Sequence, residues 1–224
     1  FAVDYDTVED EFLVVYTDQN AAQVKSFVVT NSGTAFTLSS ITSVIADSNN
    51  PTCVFDDSVN KFCITYSNTS DSKHVYAIVG TIASSAVTYG SAVDLNVTGD
   101  PGSNPRGACS SFDTNVNETL VAYNDDGWGI GPRYATISIS GTVPSLVTSG
   151  TITGATASES FSGPQCLRKP MTSEAENPIV YVYRNSSLTK ARMQVFEFAQ
   201  TAVVTTNLDN NYFGVASTTV ADTE

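Results

Sequence analysis

The stretch CVFDDSVNKFCITY, residues 53–66, decides the fold class. Two apolar runs flank the polar turn DDSVN, which is the pattern of a β-hairpin. The same pattern occurs upstream as VDYDTVEDEFLVVY (3–16) and downstream as SSFDTNVNETLVAY (110–123). A degenerate fourth version, RKPMTSEAENPIVYVY, ends at Tyr183. In the first three, an aromatic (Tyr5, Phe55, Phe112) precedes an Asp (Asp6, Asp56, Asp113), and a Tyr follows the aromatic after 11 residues. The closing tyrosines Tyr16, Tyr66, Tyr123 and Tyr183 are spaced by 50, 57 and 60 residues.

Each segment continues alike. A polar turn (TDQNAAQ, SNTSDSK, NDDGWGIGPR, RNSSLTK) leads into a third apolar or alternating run (VKSFVV, VYAIVG, YATISI, MQVFEF), and a Gly/Ser/Thr turn precedes a fourth. No window carries a 3.6-residue apolar stripe, so helix is not expected. The sequence therefore predicts an all-β chain of four four-stranded antiparallel units, at about 1–50, 51–107, 108–164 and 165–224, in one β-repeat domain. Such units read as blades of a β-propeller, because one four-stranded sheet cannot cover both of its apolar faces and needs neighbours to do so. The competing architecture is an immunoglobulin-like β-sandwich, which does not call for a fourfold repeat.

Composition narrows the setting. The 224 residues carry 10 Lys+Arg against 23 Asp+Glu, a net charge of −13. Nucleic acid and anionic membrane surfaces would be repelled. No apolar run approaches the roughly 20 residues of a membrane-spanning helix. The chain holds 27 Ser and 28 Thr, four cysteines and one His, which points to an oxidising, extracellular setting and away from zinc. A first residue that is Phe1 reads as a processed product or a piece of a longer array.

The second unit, VFDDSVNKFCITYSN followed by VYAIVGTIASSAVTYGSAVDL, resembles the tandem units of long bacterial and viral surface proteins, phage tail fibres among them. The other units match more loosely. The resemblance implies a structural or adhesive role and brings no chemistry with it.

Cys53 and Cys63 are equidistant from residue 58, the centre of DDSVN, so the spacing predicts them opposite each other and disulfide-bonded. Cys109 and Cys166 occupy equivalent first-strand positions of neighbouring units, which leaves a disulfide or two free thiols open. Sequons stand at Asn68, Asn96, Asn117 and Asn185, all at turns or strand ends where a glycan would be tolerated.

Catalytic constellations are not evident. His74 opens a third strand and has no nucleophile motif near it. Asp6, Asp56 and Asp113 recur at turn positions, where a capping role is expected. The stretch 124–129, NDDGWG, offers clustered Asp and Asn oxygens that suit Ca²⁺. Trp128, Tyr134 and Tyr212 are candidate sugar-stacking residues. The sequence thus predicts a non-enzymatic extracellular structural protein of a filament, tail fibre or surface coat, without cofactor, whose partners are further copies of itself. A carbohydrate-binding adhesion module is the alternative, and a glycoside hydrolase stands third. Residues 1–6 are expected to add to the sheet of a neighbouring copy or to continue covalently into another unit.

Overall fold

The computed structural model describes the backbone of residues 1–70, 74–95, 106–114, 116–125, 131–151, 165–168, 179–185, 190–196 and 204–208, with side chains described for 1–70, 74–95, 108–114, 116–123 and 133–151. These residues form four antiparallel sheets, each from one contiguous stretch of chain. Sheet 1 holds β1 (Ala2–Asp6), β2 (Glu11–Asp18), β3 (Gln23–Asn31), β4 (Phe36–Leu38) and β5 (Thr42–Ala46). Sheet 2 holds β6 (Ser48–Asp56), β7 (Lys61–Asn68), β8 (Val75–Ala83), β9 (Ala86–Tyr89) and β10 (Val93–Asp94). Sheet 3 is β11 (Arg106–Asp113), β12 (Glu118–Asp125), β13 (Gly131–Ser140) and β14 (Val143–Thr151). Sheet 4 is β15 (Gln165–Arg168), β16 (Ile179–Asn185), β17 (Lys190–Phe196) and β18 (Val204–Leu208). The all-β, four-sheet reading of the repeat therefore holds. No Greek-key exchange of strands between sheets occurs among the described strands, as a sandwich would need.

The repeated Asp caps the first turn of the first two units. Asp6 Oδ1 accepts the backbone N–H groups of Val8 (2.8 Å) and Glu9 (3.1 Å). Asp56 Oδ1 accepts the Ser58 N–H (3.0 Å) and hydroxyl (2.6 Å). Each turn then closes on a residue of positive φ, Asp10 (58°), Asn60 (55°) and Asn117 (54°), the residue types that tolerate this conformation. The fourth strand of sheets 1 and 2 is broken in two: β4 and β5 both pair with β3, and β9 and β10 both pair with β8. At the second break Gly90 approaches the Thr142 carbonyl so closely that an added Cβ would lie 1.7 Å from its oxygen.

Sheets 1, 2 and 3 stack face to face and share two apolar cores. The first contains Leu13, Val15, Val24 and Val28 of sheet 1 with Cys53, Phe55, Phe62, Ile64, Tyr66 and Ile78 of sheet 2. The second contains Val54, Cys63, Ala77 and Val79 of sheet 2 with Phe112, Val121, Tyr123 and Ile137 of sheet 3. Sheet 2 is thus buried on both faces. The first strands β1, β6, β11 and β15 pack each beside the next. β1 itself is an ordinary member of its own sheet, paired with β2 from Ala2↔Val15 to Asp6↔Glu11. The expectation that residues 1–6 add to a neighbour's sheet concerns the other edge of β1, which ends this sheet.

The cysteine expectation also changes. The β6–β7 turn has an even number of residues, so Cys53 faces Ile64 and Cys63 faces Val54. One residue of register moves a side chain to the opposite face. Cys53 lies in the first core, Cys63 in the second, and both are free buried thiols. Burial raises Cys53 well above the usual thiol range and pushes Cys63 up to about 12. Cys109, by contrast, is disulfide-bonded. β11 and β15 are neighbours, but the side chain of Cys166 on β15 lies outside the described residues.

Maleimide labelling with mass spectrometry reads this arrangement directly. The native chain should take up no label over minutes, because thiolate is the reactive form and both free thiols are buried and hold their protons. Denatured without reductant it should take up a label at Cys53 and at Cys63, and none at Cys109. A Cys53–Cys63 cross-link under those conditions would contradict the register.

Candidate functional site

The seam between sheets 1 and 2 collects the acidic side chains. Strand alternation puts Asp4 and Asp6 on the face of β1 that carries Leu13 and Glu11 across the strand pair. That face packs on sheet 2. Asp4 reaches over the seam: its Oδ2 accepts the Phe55 backbone N–H at 2.7 Å, and its Oδ1 accepts the Tyr5 N–H at 2.9 Å. Burial raises its carboxyl above the ordinary range, and the two N–H bonds only partly offset this. Asp4 is half-buried, whereas Asp6 and Glu11 are 1% and 4% exposed.

Glu11 bridges the same sheets further out. Its Oε1 accepts the Thr30 hydroxyl (2.8 Å) and the Ser85 hydroxyl, which comes from the β8–β9 turn. Ser26 and Tyr89 pair their hydroxyls across the seam, and the Ser48 hydroxyl accepts the Val24 N–H (2.9 Å) while donating to the Ile45 carbonyl (2.9 Å). Ser26, Ser48, Tyr89 and Glu11 Oε1 thus tie the two sheets together, Asp6 stays within its own turn, and Glu11 Oε2 is buried without a partner. Asp56 is likewise raised by burial, but its carboxyl is enclosed in its turn by Ser58. Asp4 is the described carboxyl that combines a raised proton affinity with partial access, the property wanted in a proton donor.

A second polar pair lies at the start of β8. His74 Nδ1 meets Asp94 Oδ2 at 2.9 Å, so His74 is tied to the short strand β10 and is not a free strand-end residue. No cluster of three or more His, Cys, Asp or Glu side chains with metal-binding geometry occurs among the described residues. The Ca²⁺ expectation at 124–129 falls on residues whose side chains lie outside the described ones, as do Trp128 and Tyr212. Tyr134 is half-buried, and its ring covers Gly150 on the paired strand; a Cβ at Gly150 would sit 3.0 Å from the ring. Asn68 is partly exposed at the end of β7, its Oδ1 accepting the Ser70 N–H at 3.0 Å, and Asn117 is exposed in the β11–β12 turn. The side chains of Asn96 and Asn185 lie outside the described residues.

Sequence reasoning passed over Asp4 and Glu11. Asp4 did carry a signal: it stands where the equivalent units have Val54 and Ser111, so a charge replaces an uncharged repeat position. Glu11 carried none, since Glu118 occupies the same repeat position and Lys61 replaces it in the second unit.

No protein-family model matches the chain, and no curated protein matches it. Solved structures do. The chain is similar to an exo-β-1,3-galactanase from Phanerochaete chrysosporium, with a TM-score of 0.53 at 10% identity over 91% of this chain and 48% of that one. It is similar to a β-fructofuranosidase from Schwanniomyces occidentalis, with a TM-score of 0.50 at 11% identity over 92% of this chain and 46% of that one. The chain therefore spans about half the length of each, and the likeness is one of fold. It overturns the expectation that the chain is not an enzyme: that exclusion rested on the lack of a catalytic constellation in the sequence, and this fold is shared with a galactanase and a fructofuranosidase.

The raised Asp4 carboxyl gives a pH test with a definite sign. A carboxyl whose proton is held more tightly in the folded state stabilises the fold below its unfolded value of 3.8, and that contribution is lost as pH rises through the folded value. Asp4→Asn removes the ionisation and keeps an acceptor for one N–H. Urea titrations should show the variant gaining stability relative to the parent between about pH 3 and about pH 7. A difference that is flat or falls over that range would contradict the assignment.

Proposed function

We propose that this chain is a carbohydrate-directed β-repeat domain, secreted or displayed at a surface, in which the four sheets are blades set around an axis lined by β1, β6, β11 and β15. The fold shared with a galactanase and a fructofuranosidase over nine-tenths of the chain carries the reading. Galactose- and fructose-containing oligosaccharides are the substrate class that the two enzymes suggest. The strongly acidic character of the chain fits a neutral glycan better than a polyanion.

Glycoside cleavage asks for a carboxylic acid that holds its proton near the working pH and for a second carboxylate nearby. Asp4 supplies the first property, on a first strand and partly accessible. In this role it donates its proton to the leaving oxygen of the glycosidic bond. Binding without cleavage is the reading favoured by the burial of Asp6 and Glu11, 1% and 4% exposed and engaged in turn and seam hydrogen bonds, with Glu11 Oε2 alone left without a partner. The two readings separate in one experiment. The chain and its Asp4→Asn variant are screened for binding on a glycan array and for release of reducing sugar from β-1,3-galactan and fructan oligosaccharides. Hydrolysis that falls at least tenfold in Asp4→Asn while binding survives identifies an enzyme. Binding with no hydrolysis in either protein identifies a glycan-binding domain. A chain that neither binds nor cleaves any glycan would remove the carbohydrate reading.

A further inference from the structure

Two residues beyond the closing tyrosine, the first two units carry a side chain that caps the next turn. In the first unit it is Asp18, whose Oδ1 accepts the N–H groups of Asn20 (3.1 Å) and Ala21 (3.3 Å). In the second it is Asn68, whose Oδ1 accepts the Ser70 N–H (3.0 Å) and the Ser70 hydroxyl (2.8 Å). The cap needs one acceptor oxygen, which Asp supplies as well as Asn. What Asn68 adds is an amide nitrogen. A backbone N–H can only donate, so the atom it meets is the oxygen, and Nδ2 is turned away from the cap. Nδ2 makes no hydrogen bond among the described residues.

Asn68, Thr69 and Ser70 form the acceptor triplet for an N-linked sugar. The folded chain keeps it usable. Thr69 and Ser70 are exposed and Asn68 is partly so. The backbone is held in place: the Asn68 N–H donates to the His74 carbonyl (2.8 Å), and the Thr69 N–H to the Asp47 carbonyl (2.6 Å). The amide and the hydroxyl that a transferase must engage together already meet. The triplet Asn117-Glu118-Thr119 is different, although Asn117 itself is exposed. Thr119 is 0% exposed and lies in β12 between Phe112 of β11 and Ile137 of β13. Strand alternation sets it on the face that carries Val121 and Tyr123 into the second core. Once this sheet forms, the Thr119 hydroxyl is out of reach, whereas Ser70 stays in the open.

We propose that Asn68 is an acceptor for an N-linked oligosaccharide and that the fold closes Asn117 to the same modification. The proposal rests on the reading that the chain is secreted or displayed at a surface, where such a transferase meets it. The transfer joins Asn68 Nδ2 to the anomeric carbon of an oligosaccharide carried on a lipid diphosphate. The bond from that carbon to the phosphate oxygen breaks, the lipid diphosphate leaves with the electron pair, and one Nδ2 proton passes to a base of the transferase. Oδ1 and the two bonds it accepts are not consumed, so the cap survives. Asn68 pairs with Ser48 at the start of β6, whereas Asp4 meets Phe55 near the end of that strand. From residue 48 to residue 55 a strand spans about 20 Å. A glycan on Asn68 therefore leaves Asp4 clear, and the two assignments stand or fall separately.

Two preparations of the full chain test the assignment by peptide mass spectrometry. One is secreted from yeast cells behind a signal sequence. The other is purified unmodified, folded, and incubated with an oligosaccharyl transferase and a lipid-linked oligosaccharide. The expected result in both is a glycan on Asn68, removed by a glycan-releasing amidase that leaves Asp, and a bare Asn117. Asn68→Asp and Ser70→Ala should each abolish the modification, and Ser70→Thr should retain it. Asn68→Asp keeps the cap as Asp18 does, so its β-sheet circular dichroism should match the parent's, which separates loss of the acceptor from loss of the fold. Asn68 left bare in either preparation overturns the proposal, and so does occupancy of Asn117 equal to or above that of Asn68. A chain glycosylated at Asn68 that neither binds nor cleaves any glycan supports this assignment while removing the carbohydrate reading of Asp4.

Discussion

Face-to-face burial of β-sheets is the constraint on which the rest of this structure depends. A single sheet of four short strands has two faces and can hide neither by itself. Sheet 2 shows the solution in full. Its odd and even residues divide between two cores, so that Val54 and Phe55, or Cys63 and Ile64, are chain neighbours that never share a core. Removing one such side chain costs about 2–5 kcal/mol, a large part of a domain's net stability. The repeat is the sequence-level trace of this demand: each unit must offer one face to the unit before it and another to the unit after.

The polar groups of the seam follow from the same stacking. Once two sheets are pressed together, every hydroxyl and carboxylate at the junction needs a partner, because an unpaired buried polar group costs about 1–3 kcal/mol. Ser26 with Tyr89, Glu11 Oε1 with Thr30 and Ser85, and Thr52 with Thr65 meet this demand across sheets or strands, while Glu11 Oε2 stays buried without a partner. Asp4 differs. It spends its carboxylate on a backbone N–H of the neighbouring first strand and keeps part of its surface in solvent. That combination makes it a candidate for chemistry as well as for cohesion.

The strands and their grouping were legible because each depends on a local signal: the aromatic–Asp pair, the turn residues and the closing Tyr. The turn Asp was also legible, since a side chain that accepts its own turn's N–H groups is a property of three or four consecutive residues. The cysteine pairing was not. It hangs on whether the turn between Asp56 and Lys61 centres on a residue or between two, and the letters DDSVN suit either. One residue of register separated a disulfide from two thiols in different cores. Asp4 was obscured for another reason. Its role arises from a strand 51 residues away, and a single charge at an uncharged repeat position announces a difference without saying what the difference is for. The lack of motifs was a weak guide to function, because a fold hosts sites whose residues come from separate units and leave no compact sequence signature.

The central claim is that sheet 2 is shared by two cores, its successive residues facing different neighbours. Methyl and side-chain nuclear Overhauser contacts measured on the isotope-labelled chain test it most directly. The account predicts that Ile64 shows contacts to Leu13 or Val15 of sheet 1, while Val54 and Cys63 show contacts to Val121 or Tyr123 of sheet 3. Contacts from Cys63 and Ile64 to the same neighbouring sheet would contradict it.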